Sequence, residues 1–306
     1  MKYFLIISFF LTFTNLTNAQ KNVSITIDDV TKSIRWTKDS YDSRLLDKLD
    51  SLDIPIAIFI NEGLLYKEEK LRKNSSLINN WVKKDYITLG NHTFSHSRYS
   101  TAGFKSFTDD ILKGESISRK LADKYNKPLR YFRFPYNDLG KDSLQHVKIK
   151  QFLSDNNYVN TPFTIESSDW VYNKVYEYYL NRGEKQKARE IGIQYVDKTL
   201  EYFDFFNDFS VENYGRSVNQ IYLCHDSKLN ADFLDLIVQR LKDKDYSFIS
   251  LKDALSDKVY AQKDSYFRKW GVSWFYRWIK TQKERVKYMR QEPSMSEIMS
   301  LFNNIK

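Results

Sequence analysis

Asn22-Val23-Ser24-Ile25-Thr26-Ile27-Asp28-Asp29-Val30 decides how the rest of this chain is read. From Val23 to Ile27, apolar residues alternate with small polar ones, which is the period of a β-strand. The run then closes on two adjacent carboxylates. An Asp pair is commonly a solvated turn. At the end of a buried-looking strand, unpaired carboxylates are expensive, so Asp28 and Asp29 call for a partner or a purpose.

Working outward, the same grammar recurs. Ile54 to Ile60, Tyr86 to Leu89, Leu129 to Phe134, Phe163 to Ile165, Ile221 to Cys224 and Tyr246 to Leu251 read as further strands. Helical spacing separates them. Leu45, Leu46, Leu49 and Leu52 mark one helix, Phe107 to about Tyr125 another, and Phe233, Leu234, Ile237 and Leu241 a third. Near-continuous apolar strands alternating with helices predict a parallel sheet covered on both faces, an α/β fold that is open or barrel-like. No repeat and no low-complexity linker interrupts it.

Two regions leave this rhythm. Val171 to Gly215 is long, helical in pattern and rich in Tyr and Phe, and reads as an insert. Asp257 to Lys306 is a tail in which Trp270, Trp274 and Trp278 recur every four residues. That spacing puts the three rings on one helical face, where they would dock the tail on the body.

Composition narrows the class. The 306 residues are 42% hydrophobic and 16% aromatic, enough for a large core. The formal charge is +9, but the lysines are dispersed among 39 acidic residues. No basic block marks a nucleic-acid site, and the charge reads as solubility with a bias toward an anionic polymer. Met1 and Lys2, an apolar stretch from Phe4 to about Phe13, and Thr17-Asn18-Ala19 have the layout of a signal peptide over residues 1–19. The apolar run is short for a transmembrane span. The expected destination is the periplasm or the extracellular space, with no stable membrane insertion after cleavage. Cys224, the single cysteine, permits no intramolecular disulfide.

The rare polar groups fall at strand ends. Thr26-Ile27-Asp28-Asp29 ends the first strand, and Asn91-His92-Thr93-Phe94-Ser95-His96 follows the third. Arg133-Phe134-Pro135-Tyr136, Ser168-Asp169-Trp170 and Leu223-Cys224-His225-Asp226 end others. In parallel α/β folds the C-terminal edge is where active sites form. Three of the chain's four histidines lie there. His92 and His96, four apart, would face one way on a helical turn. With one carboxylate of the Asp pair they make a facial metal set that leaves positions open. Cys224 precedes His225 on a strand, so the two side chains point to opposite faces and Cys224 reads as core. His146, in a polar helical stretch, reads as surface.

The five segments, in this order, resemble the five motifs of the polysaccharide deacetylase family (the NodB-homology domain, carbohydrate esterase family 4), across roughly residues 22 to 255. The resemblance implies a distorted (β/α) barrel with fewer strands than a full eight. It gives residues 20–256 as the catalytic domain, with an insert at about 171–215 and a C-terminal helical extension at 257–306. It assigns Asp29, His92 and His96 to a divalent metal, Zn2+ above all, and makes Asp28 the general base, oriented by Arg133. Tyr136 would offer its backbone N–H to the oxyanion. Asp169 would tune the general acid His225, while Trp170 would wall the groove and Leu223 would be a pocket residue. Such a metal polarises the acetyl carbonyl and acidifies a water, and the acid–base pair moves the protons.

Three positions depart from the family pattern: Val30 and Asn137 stand where Gly is usual, and Glu166 where the fourth motif often has Asp. None removes a ligand or a catalytic group. The expected partner is an acetylated polysaccharide, with N-acetyl groups removed from a peptidoglycan or chitin-like chain. An O-acetyl xylan or glycan esterase and an inactive carbohydrate-binding envelope protein are the competing expectations, and the sequence sets no oligomeric state.

Overall fold

Residues 20–32 and 43–305 are described by a computed structural model; the expected signal peptide, residues 1–19, lies outside them. Eight strands among these residues form one sheet: β1 (Lys21–Val30), β2 (Ile56–Ile60), β3 (Ile87–Asn91), β4 (Leu129–Phe132), β5 (Val159–Asn160), β6 (Ile165–Glu166), β7 (Gln220–His225) and β8 (Tyr246–Phe248). Their order is β5-β4-β3-β2-β1-β7-β6, and β8 pairs with the start of β1. Every pairing is parallel. No pairing joins β5 to β6 among the described residues, so the sheet is an open, distorted (β/α) barrel.

Side-chain alternation sorts each strand between two cores. Val23, Ile25 and Ile27 of β1 and Ile56, Ile58 and Ile60 of β2 pack with the surrounding helices. Ala57 and Phe59 of β2, and Ile221 and Leu223 of β7, join Tyr131 and Phe163 in a smaller cluster on the inner face. Each fully buried Ile or Leu contributes about 1.5–3 kcal/mol relative to exposure. Register partners in a parallel sheet share a face. Thr26 pairs with Ala57 and Leu223, and Asp28 pairs with His225. The inner face of β1 is therefore Ser24, Thr26 and Asp28, which delivers its polar side to the barrel's C-terminal mouth.

The insert is helical, as its pattern predicts. Asp169–Asn181 and the 30-residue Lys185–Tyr214 helix cover β6, β7 and β8, with Phe203 against Tyr222 and Tyr246. Three sequence expectations need correction. The helix expected over 107–125 is two, Phe104–Lys113 and Ser116–Lys124, broken at Gly114 and Glu115. The tryptophans do not share one helix. Trp274 and Trp278 are buried in Trp274–Trp278, whereas Trp270 precedes it and is exposed, because the chain bends through Gly271-Val272-Ser273 before the helix begins.

His146 is the third. It lies on the helix Ser143–Asp155 as expected, but it is buried, not exposed. The tail folds over that side of the helix. His146 Nδ1 is 3.4 Å from Asp264 Oδ2, and the ring sits edge-on to Phe267. Arg277, itself fully buried, donates to the same Asp264 oxygen at 2.7 Å.

Candidate metal and acid–base site

Neighbours on a straight strand point to opposite faces, yet Asp28 and Asp29 open on the same side. Asp29 turns to φ 59°, and the β1–β2 register shifts between Ile27 and Val30. Asp tolerates this left-handed backbone better than most residues. Val30 can then return to the core against Ile60, so the side chain that replaces the usual Gly is buried. His92 Nε2 lies 3.7 Å from Asp28 Oδ2 and 4.0 Å from Asp29 Oδ1, and His96 Nε2 lies 3.6 Å from Asp29 Oδ1.

The two histidines are not on a helical turn, contrary to the sequence expectation. They sit on a shaped loop after β3. Asn91 Oδ1 accepts from the Thr93 N–H at 2.7 Å, and Thr93 Oγ1 accepts from the His96 N–H at 3.0 Å. The Asp110 carboxylate accepts from the Ser95 N–H, and its carbonyl from the Phe94 N–H. Thr93 and His96 adopt φ 65° and 56°. The result brings the rings to 4.9 Å between centroids at 68°.

Asp29, His92 and His96 each offer one ligand atom, and these atoms lie within 4.8 Å of one another. His92 Nδ1 is 2.8 Å from the Arg133 carbonyl. A carbonyl only accepts, so Nδ1 carries the proton and Nε2 turns its lone pair to the cluster, the outer-shell bond of a ligating histidine. Burial holds both imidazoles down at about 4, which keeps them in the neutral, ligating form near neutral pH. Burial pushes Asp29 up, but Lys32, His96 and His92 outweigh it and hold the carboxyl well below the usual range. An anionic carboxylate and two neutral imidazoles fit a divalent cation of the zinc type.

Asp28 is held from behind. Arg133 Nη1 donates to Asp28 Oδ1 at 3.2 Å and to Thr26 Oγ1 at 2.8 Å, and Nη2 donates to the Pro162 carbonyl at 3.3 Å. The guanidinium also lies 4.3 Å over the Phe59 ring. Burial raises the Asp28 carboxyl to about 6 against the opposing pull of Arg133, a basicity suited to accepting a proton near neutrality.

On the other side, His225 Nδ1 meets Asp169 Oδ1 at 2.6 Å, and the His225 N–H donates to Oδ2 at 2.7 Å. Burial opposes charge on the ring, but Asp169 prevails and holds it up at about 9. Behind this pair lies a network that sequence reading missed. Asn230 Nδ2 donates to Asp169 Oδ2 at 2.7 Å and to the His225 carbonyl at 2.8 Å. Tyr195 donates to Asn230 Oδ1 at 2.7 Å and stands 2.8 Å from the Tyr222 hydroxyl, which in turn meets Ser167. No spacing relates Asn230 or Tyr195 to His225. Asn91 and Thr93, which shape the His92–His96 loop, lie inside a motif that the sequence singles out.

The remaining candidates line the edge. Leu223 lies on the inner face, in register with Thr26. Trp170 is 52% exposed and edge-on to Phe302 of the tail. Tyr136 is half exposed, its ring between His96 (4.6 Å) and the Arg98 guanidinium (3.9 Å). Asn137 adopts φ 49°, the left-handed backbone for which Gly is usual and Asn a tolerated substitute. Glu166 accepts from the Ser168 N–H at 2.7 Å, and burial raises its carboxyl to about 7. Cys224 is buried, its Sγ 3.6 Å from the Thr26 carbonyl.

Comparison with known proteins follows the same lines. Residues 15–152, which carry the first three motifs, match the family described as Polysaccharide deacetylase. YheN of Bacillus subtilis (strain 168), provisionally named a polysaccharide deacetylase, is 24% identical over 235 residues, spanning 77% of this chain and 68% of that protein. Among solved structures, a carbohydrate esterase family 4 pseudoenzyme from Bacillus anthracis superposes with TM-score 0.52 at 16% identity, over 78% of this chain and 66% of that one. A mutant of it with restored enzymatic activity gives the same score at 17% identity, over 78% and 68%. These two similarities concern the fold, and the fold they share is the open parallel barrel described above. The first three motifs thus lie inside a match to the polysaccharide deacetylase family, and the chain is similar to that family in sequence over residues 15–152 and in fold over its barrel.

Proposed function

We propose that this protein is a metal-dependent hydrolase that removes N-acetyl groups from an amino-sugar polysaccharide of the peptidoglycan or chitin type. The observation that carries this reading is the convergence of Asp29, His92 and His96 between a base held by Arg133 and an acid held by Asp169. Both groups are raised, Asp28 to about 6 and His225 to about 9, so near neutrality the first is ready to accept a proton and the second holds one to give.

A bound divalent cation, Zn2+ by the donor set, supplies Lewis-acid polarisation of the acetyl carbonyl and acidifies water. The chain's own residues do the rest. Asp28 accepts the proton of the attacking water, and Arg133 fixes its carboxylate. The Tyr136 N–H stabilises the oxyanion as the carbonyl becomes tetrahedral. His225, protonated and held by Asp169, gives its proton to the amine as the carbon–nitrogen bond breaks, leaving acetate and a free amino sugar. Trp170 and Leu223 supply wall and pocket. The Met1–Ala19 segment, read as an export signal, agrees with a substrate outside the cytoplasm.

The test is acetate release from N-acetylglucosamine oligomers, peptidoglycan and acetylated xylan, with a chelator and Asp28→Asn as controls. Acetate from the first two that vanishes in both controls supports the proposal. Acetate from xylan alone transfers the activity to O-acetyl esters, and acetate from none of the three retires the deacetylase reading.

A further inference from the structure

Tyr136 and Asn137 are consecutive non-glycine residues with φ 57° and 49°. Left-handed backbone is strained for residues with a Cβ, and such strain persists only where the surroundings over-determine it. Much of what surrounds this turn comes from the tail. Asn137 Nδ2 donates to the Val272 carbonyl at 3.0 Å, and Trp274 Nε1 donates to Asn137 Oδ1 at 3.3 Å. Gly271 lies so close that a methyl built on it would overlap the Tyr136 carbonyl oxygen. Arg98, stacked over the Tyr136 ring, donates to the Lys269 carbonyl at 3.4 Å.

The same segment is stitched to a second loop. The Trp274 N–H donates to the Phe163 carbonyl at 3.0 Å, and Ser273 Oγ to the Thr164 carbonyl at 2.6 Å. Phe163 and Thr164 directly follow Pro162, whose carbonyl receives Arg133. The segment is itself anchored from behind by the buried Arg277–Asp264 pair. Where the family usually has Gly, with no side chain to reach outward, this chain has an Asn whose amide is used at both ends by the tail.

We infer that residues 269–274 of the tail are a clamp that positions the Tyr136 backbone for catalysis, with Asn137 and Gly271 as its positioning residues. This rests on the proposed role of the Tyr136 N–H. The clamp does not touch substrate. It sets where the oxyanion donor stands, so its loss lowers the rate of the chemical step more than substrate binding. Misplacing such a group by about 1 Å costs up to roughly a hundredfold.

The experiment compares Asn137→Gly, which keeps the left-handed turn but removes both tail hydrogen bonds, with Gly271→Ala, which forces the Tyr136 carbonyl away. Trp274→Phe, which deletes one donor and keeps a ring, completes the set. Two readouts are taken: kcat and KM for acetate release, and amide hydrogen exchange over residues 133–140. The expected result is a fall in kcat of about tenfold or more with KM changed less than about threefold. Faster exchange over 133–140 accompanies it, while exchange in β1 and metal content stay at parent levels. Unchanged exchange in both Asn137→Gly and Gly271→Ala overturns the clamp whether or not the parent releases acetate. So does faster exchange with unchanged kcat. A parent that releases no acetate but shows the exchange response retains the clamp and removes the proposed deacetylase reading instead.

Discussion

His225 and Asp169 meet twice, ring Nδ1 to Oδ1 at 2.6 Å and backbone N–H to Oδ2 at 2.7 Å. One carboxylate thus fixes both the orientation of the imidazole and the strand end that carries it. Burial alone would discharge the ring. Asp169 reverses that and leaves it protonated up to about 9.

If His225 is the acid, kcat/KM falls as pH rises through about 9, when the ring loses the proton it must donate. In Asp169→Asn the main upward influence is gone, so the basic limb moves to lower pH. A pH–rate profile of acetate release checks this, and a limb that stays in place removes His225 from the acid role. Stability follows the same linkage. A ring raised above its unfolded value adds stability that is whole below about 6.5 and is lost as pH rises through about 9. Asp169, held below its usual value mainly by His225 against the opposing effect of burial, adds stability that is whole above about 4 and is lost as pH falls further. Melting temperatures of parent and Asp169→Asn should therefore differ most between about pH 4 and 6.5 and converge at alkaline pH.

The Asp29–His92–His96 set predicts one divalent ion per chain. Elemental analysis of protein purified without chelator should find it, and Asp29→Ala and His96→Ala should each weaken retention by about a hundredfold or more, since even outer-shell changes cost about 10–100-fold. Asp28→Asn should keep the ion and lose at least about a hundredfold in rate. An Asp28 variant that loses metal as fully as Asp29→Ala would place both carboxylates in the ligand set.

Arg277 and Asp264 are both buried, and breaking such a pair from one side leaves an uncompensated charge. Arg277→Met should cost about 3–5 kcal/mol, and Arg277→Met with Asp264→Leu should recover much of it. Urea denaturation measures both. A single variant as stable as the parent would show that the tail's anchor lies elsewhere.

Trp170, which follows Asp169 in the chain, is exposed and sits edge-on to Phe302. Trp170→Ala should raise KM for oligomers by roughly tenfold or more while kcat changes little, since the lost contact serves substrate and transition state alike. A fall in kcat at unchanged KM would contradict the proposed groove-wall role.

What could be read in the sequence follows from the range of the interactions. Period-two runs ending in Asp28-Asp29, Arg133 or His225 are local, and they forecast strands with chemistry at their C-terminal ends. The break at Gly114 and Glu115 escaped because apolar periodicity continues on both sides of it. The His92–His96 spacing matches a helical turn, because spacing alone does not report that Asn91 and Thr93 side chains cap the loop's amides. His146 reads as surface because periodicity reports only its own helix, and the residues that cover it, Asp264 and Phe267, come from the tail. Asn230, Tyr195 and Tyr222 were invisible for the same reason: their meeting behind Asp169 is a product of the fold.

The tail's seat on Asn137 separates two kinds of inheritance. The groups proposed to hold the metal and move the protons lie within five short motifs, while the support of the Tyr136 turn comes from residues 269–274, beyond the last of them. Two chains with identical motifs can therefore differ in competence if one has lost this seat. A census of signature residues would score them as equals, and the divergence would show first in chains whose C-terminus has drifted or been trimmed.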